Sequence, residues 1–123
     1  MIENKGKFIV GKIADFEKRK GWFFGRFSEH PLLRSDLVEV AFQDISQKEA
    51  SPNDKHLHTS SIEINIVLSG KVSLTINGQK FKVGEGEFYV VWPESVVEDL
   101  RTTENTKLIV IRAPSVNDKR AIE

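Results

Sequence analysis

The chain has 123 residues, 18 Lys and Arg against 18 Asp and Glu, and no cysteine. That length holds one hydrophobic core, and the zero net charge argues against a protein whose affinity for nucleic acid rests on clustered cations. The absent cysteines exclude disulfides, thiolate metal sites and a cysteine nucleophile.

Residues 1–34 read as an N-terminal extension. Within it, VGKIADFEKRK at 10–20 allows a turn or two of helix between Gly11 and Gly21. Trp22-Phe23-Phe24 reads as a segment packed over the mouth of the domain or against a second subunit. The first twenty residues hold no signal-peptide core, and no run approaches the roughly 18 apolar residues of a membrane helix. The expected setting is therefore the cytoplasm, with neither a membrane nor a nucleic acid as partner.

From residue 37 the texture is short β-runs between turn residues. LVEVAFQDI at 37–45 alternates, and SQKEASPNDK at 46–55 reads as a loop. IEINIVL at 62–68 alternates Ile62, Ile64, Ile66 and Leu68 against Glu63, Asn65 and Val67. KVSLTI at 71–76 and QKFKV at 79–83 flank Asn77-Gly78, a hairpin signal because both turn positions need positive φ. EFYVVW at 87–92 is stopped by Pro93, and KLIVIR at 107–112 by Pro114. Tyr89 and Trp92 read as core or subunit contact. Arg112, late in the last strand, offers an anion contact but reads first as a solvated charge at a strand end. The tail SVNDKRAIE is expected on the surface. Strands at this spacing predict an all-β sandwich or barrel.

His56 and His58 are two apart, so on a strand they share a face. Glu63 follows at the start of the next run, and Asn65 shares its face, which makes Asn65 a pocket candidate. Two imidazoles and a carboxylate form the ligand set of a facial triad, which leaves open positions on a metal. The bland alternative is a relic in which the imidazoles hydrogen-bond to one another or to water.

The spacing His-x-His, four residues, Glu, six residues, Gly, carried here by His56, His58, Glu63 and Gly70, resembles the first motif of the cupins. The resemblance implies a jelly-roll antiparallel β-barrel over residues 35–113, with 114–123 as a C-terminal tail. It also implies a divalent transition metal (Fe, Mn, Zn or Ni) on His56, His58 and Glu63, and pairing into a homodimer. The second motif of that family ends in a histidine ligand. Gly86 and Pro93 fit it, but Glu98 stands at the histidine position, and no histidine follows His58. Only one of Glu98 and Asp99 can face the cup by alternation. If Leu100 is core, Glu98 shares its side, as a fourth ligand or a general base. A weaker likeness is to small bacterial cupins of uncharacterised function, carried by Pro93…Glu98-Asp99 and Pro114-Ser115-Val116…Asp118-Lys119. The expected function is that of a small metal-binding cupin, of isomerase or oxygenase type, acting on a small polar, sugar-derived molecule. The alternative is a non-catalytic small-molecule-binding cupin with a degenerate metal site.

Overall fold

The structure is a computed structural model that describes residues 5–46, 49 and 54–122. Most of the expected 46–55 loop thus lies outside the described residues. Ten strands follow in chain order: β1 (Trp22–Phe24), β2 (Glu39–Ile45), β3 (His56–His58), β4 (Ile62–Ser69), β5 (Lys71–Ile76), β6 (Gln79–Gly84), β7 (Phe88–Val91), β8 (Val97–Thr102), β9 (Thr106–Ala113) and β10 (Lys119–Ala121). They form two five-stranded antiparallel sheets, ordered β1-β2-β9-β4-β7 and β10-β3-β8-β5-β6. The all-β jelly-roll expectation is met. Short 3-10 turns at Ile13–Arg19 and Pro31–Leu33 are the helical content among the described residues.

Alternation explains the core. Ala41, Val67, Leu108 and Val110 of the first sheet face Val72, Leu74 and Val83 of the second, all buried. Each of the valines and leucines among them contributes about 1.5–3 kcal/mol on leaving water. The Asn77-Gly78 turn has φ of 49° and 82° and joins Ile76 to Gln79, as the hairpin signal predicts. Asn77 adds a second function: its side-chain oxygen accepts a hydrogen bond from Val96 N at 2.8 Å, tying the hairpin to the start of β8.

Two segments outside the expected barrel join the sheets. Trp22–Phe24 pairs with β2, and Lys119–Ala121 pairs with β3, placing Lys119 opposite His58. Among the described residues no helix is long and apolar enough to cross a membrane.

Candidate functional site

The inner face of the first sheet is built in cross-strand rows. Glu39, Arg112, Glu63 and Val91 stand side by side on β2, β9, β4 and β7. One row further, Ala41, Val110, Asn65 and Tyr89 do the same. Directly opposed residues on antiparallel strands point to the same face. The pleat therefore sends two acids, an arginine, an amide and a phenol into a core that is otherwise aliphatic.

Such a group of charges survives burial only if it is paired. Arg112 Nε donates to Glu63 Oε2 at 2.7 Å, and its Nη1 lies 3.4 Å from Glu39 Oε2. Ser115 Oγ donates to the other Glu39 oxygen at 3.0 Å. The guanidinium also lies 4.7 Å from the centre of the Trp22 ring, within cation–π range. Asn65 Nδ2 donates to Glu63 Oε1 at 3.1 Å. Burial pushes the Glu63 carboxyl up. The Arg112 charge and the hydrogen bonds from Arg112 and Asn65 outweigh that and hold it below the usual carboxylate range. Burial, joined by the Glu63 charge, pushes the Tyr89 hydroxyl well above its ordinary value, so it stays a neutral donor. Arg112 is thus no solvated edge charge: the register of β9 carries it inside.

From the second sheet, β3 brings His56 and His58 to one face, with ring centres 5.5 Å apart in edge-on contact. The His56 Nδ1 hydrogen goes to the Asp54 carbonyl at 2.7 Å. Burial lowers the His56 pKa, the charges of Lys119 and His58 add to that, and the Asp54 carbonyl and Glu63 oppose it without prevailing. His58 is buried, and its Nδ1 hydrogen goes to Asp118 Oδ1 at 2.8 Å. Asp118 also accepts from the backbone N–H of Ser60 and of Ser61, both at 2.8 Å, and from both serine hydroxyls. These donors offset the cost of burial and hold the Asp118 carboxyl far below its ordinary value. A carboxylate only accepts, so when the His58 ring is neutral it carries its hydrogen on Nδ1 and presents a lone pair at Nε2. That Nε2 is buried without a hydrogen-bond partner and faces Glu63 Oε2 at 3.6 Å. With the ring neutral, two acceptors confront each other there, and a hydrogen-bond donor or a cation fits between them.

Glu98 does not join this group. Val97 and Ile76 are paired and both pack on the core, and so does Leu100. Between Val97 and Leu100, Asp99 takes a φ of 57°, and the β5–β8 register slips by one residue. That bulge breaks the alternation. Glu98 pairs with Thr75 on the outer face, and Asp99 lines an outer cleft with Lys80 and Arg101. The inference from Leu100 to Glu98 fails at the extra residue. His30, outside the motif, accepts from Leu32 N at its Nδ1 and caps a turn.

A divalent metal would find part of a donor set here. His56 and His58 fit: each has Nδ1 fixed by an oxygen, the outer-shell arrangement that orients imidazole ligands. Glu63 fits poorly, because Arg112 and Asn65 engage both of its oxygens and the guanidinium puts positive charge where a cation would sit. Among the described residues no three His, Asp or Glu side chains are grouped so as to hold a metal ion.

Of the residues that join this cluster, Glu39, Ser115 and Asp118 were not singled out from the sequence, and Arg112 was read as an edge charge rather than an anion contact. The only available signal was the Pro114-Ser115-Val116…Asp118 segment.

Comparison with known proteins bears on the fold. A family model described as the cupin domain matches residues 41–111. No curated protein matches. An uncharacterised conserved protein with a double-stranded β-helix domain from Klebsiella pneumoniae superposes with a TM-score of 0.63 at 15% identity, covering 95% of this chain and 99% of that one. KdgF from Halomonas sp. superposes with a TM-score of 0.62 at 13% identity, covering 93% and 98%. Streptomyces PAC13 with uridine gives a TM-score of 0.60 at 15% identity, covering 72% of this chain and 70% of that one. Pac13 is described as a nucleoside dehydratase.

Proposed function

The chain belongs to the cupin family, and we propose that within it the cup binds a small polar, hydroxyl-rich molecule, with His58 as the group that takes a proton from it. The observation that carries this reading is the buried, unpartnered Nε2 of His58, 3.6 Å from Glu63 and fixed from behind by Asp118. A hydroxyl of the ligand satisfies that lone pair. Asp118 keeps the ring in the tautomer that can accept a proton and stabilises the imidazolium that results. Glu63, already paired with Arg112, stays a carboxylate and accepts a second hydroxyl. Asn65 and Tyr89, on the adjoining row, supply neutral polar atoms to the same wall. Such a set suits isomerisation or elimination on a sugar-like compound, and the likeness to a nucleoside dehydratase is in keeping with it. It needs no metal to run a proton transfer.

A second reading rests on the same nitrogen. An imidazole with Nδ1 on a carboxylate and Nε2 free is also how histidine meets a divalent metal, and the first-motif spacing favours it. His56, His58 and Glu63 would then be the ligands. The metal would act as a Lewis acid toward a substrate oxygen, and Glu63 would have to loosen its hold on Arg112.

One experiment separates the two readings. Untagged protein is assayed by calorimetry against a panel of sugars, sugar acids and nucleosides, with chelator present and then with Fe(II), Mn(II), Zn(II) or Ni(II). Binding that persists in chelator and is lost in His58→Gln supports the metal-free cup. Binding that needs a metal, with near-stoichiometric metal found by elemental analysis, establishes the second reading. Binding that survives His58→Gln refutes both.

A further inference from the structure

The second sheet carries at its edge a cation that the cup chemistry above does not use. β10 is the edge strand, and on it Lys119 stands opposite His58 and Ala121 opposite His56. Directly opposed residues share a face, so Lys119 shares the face of the two imidazoles. Arg120, opposite Leu57, takes the other face. Burial lowers the His56 pKa and the Lys119 charge adds to that, so the ammonium is near enough to be felt at the ring. The acids around it are engaged or lie elsewhere. Asp118 accepts from His58, Ser60 and Ser61, and Glu63 from Arg112 and Asn65. Glu94 lies across β3, where its N–H donates to the His58 carbonyl, and Asp54 lies beyond the far end of β3. Among the described residues no carboxylate is within ion-pair distance of Lys119.

We propose that Lys119 binds an anionic group on the ligand of the cup, a carboxylate or a phosphate, so that the cup selects a hydroxyl-rich acid over a neutral polyol. The proposal rests on the reading of the cup given above: a hydroxyl of the ligand meets His58 Nε2, and its anion meets the lysine one strand away. Neighbouring strands lie about 4.8 Å apart, so the hydroxyl and the anionic group are a few bonds from one another in the ligand. Sugar acids and sugar phosphates both have that pattern. Lysine holds either anion as a point charge through a charge-assisted hydrogen bond. The residue is exposed, so its ammonium is hydrated and free to turn toward an arriving anion. A lysine on an edge strand also discourages pairing with a second chain, and that role alone predicts equal affinities for acid and polyol.

The test is calorimetry on the untagged full chain in phosphate-free buffer, with matched probes: gluconate against sorbitol, and glucose 6-phosphate against glucose. In at least one pair the anion is expected to bind about tenfold tighter than its neutral partner. The pair that shows the preference tells carboxylate from phosphate. Lys119→Gln should erase the preference and Lys119→Arg should keep it. Arg120→Gln, on the other face, should leave it unchanged. A polyol bound as tightly as its acid in both pairs overturns the proposal and leaves the reading of the cup standing. A preference that survives Lys119→Gln overturns the assignment to Lys119. A preference lost in Lys119→Gln, with binding untouched by His58→Gln, upholds the lysine and refutes the role given to His58. No binding in either pair overturns both. Should Lys119→Gln fail to fold, the salt dependence of the wild type decides. A preference that falls as salt is added is expected, and one indifferent to salt overturns the proposal.

Discussion

The Nδ1 of His58 lies 2.8 Å from a carboxylate oxygen of Asp118, sixty positions further along the chain. The contact joins β3 to the irregular segment before β10, and with it the tail becomes part of the cup. Asp118 serves as acceptor for His58 and for the backbone and hydroxyl groups of Ser60 and Ser61. Asp118→Ala leaves several of these donors without a partner. Each buried unsatisfied group costs about 1–3 kcal/mol, and water reaches the exposed Ser60, so a total near 3 kcal/mol is expected. For a domain of this size that lowers Tm by roughly 10 °C. Asp118→Asn should lose about half as much and release the tautomer. Nitrogen NMR is expected to show the wild-type His58 hydrogen on Nδ1 and a mixture in Asp118→Asn. An unmixed Nδ1 tautomer in the variant would show that Asp118 does not set it.

Arg112 stands between Glu39 and Glu63 and touches both. Arg112→Met leaves two buried carboxylates without a cation, a loss of about 3–5 kcal/mol. Arg112→Lys should recover little, since a point charge cannot reach both acids as the guanidinium fork does. Adding Glu63→Gln to Arg112→Met removes one of the stranded charges. The double variant should then be more stable than Arg112→Met alone, with a coupling energy of about 2 kcal/mol from the double-mutant cycle. Additive losses in chemical denaturation would mean that the pair is not coupled.

What the sequence disclosed and what it withheld divides along physical lines. The strands β2, β4, β5, β6, β7 and β9 were legible because each alternates or ends on a turn residue, whereas β8 was not read as a run of its own. His56, His58, Glu63 and Asn65 lie near one another because the period of two puts them on inner faces. Glu98 was misplaced because alternation carries a residue inward only while the strand is regular. The bulge at Asp99 comes from pairing with β5, which no local pattern encodes. Arg112 was misread for a related reason: its neighbours say strand end, but its partners Glu39 and Glu63 are 73 and 49 positions away. Asp118 lay in a polar tail with no periodicity, and only its long-range contact with His58 gives it a role.

Gly70 follows β4 with a φ of 78°, and a Cβ there would fall 2.3 Å from Thr106 Oγ1 and 2.6 Å from Thr106 Cα. The backbone atom cannot step aside, so both the left-handed conformation and the close approach demand glycine. Gly78 shares the first constraint, with φ of 82°, but has nothing within 4 Å of its Cβ position. Gly78→Ala is therefore expected to cost about 1 kcal/mol and Gly70→Ala about 3 kcal/mol, the difference being the clash. Urea midpoints measured on both variants check the contrast. Equal losses would show that Thr106 yields and that only the backbone conformation matters at Gly70.

The titrating groups of the cup fix how stability responds to acid. Glu63 and Asp118 are held below the ordinary carboxylate range in the fold. Each is a depressed acid, so its stabilisation is complete above the unfolded value of about 4 and is lost as the pH falls below it. His56 is also depressed, by burial first. The fold binds its proton less readily than the unfolded chain does, so stability begins to fall once the pH drops below the unfolded value of about 6.5. The expected profile is flat above neutrality, slopes gently between about pH 6.5 and 4, and steepens below. His56→Asn should remove the gentle limb and leave the steep one. Asp118→Asn should make the steep limb shallower, leaving the share of Glu63, and leave the gentle one. Urea midpoints taken across this range in the wild type and both variants check the assignment. A wild type that grows more stable between pH 7 and 5 would contradict the sign argued for His56.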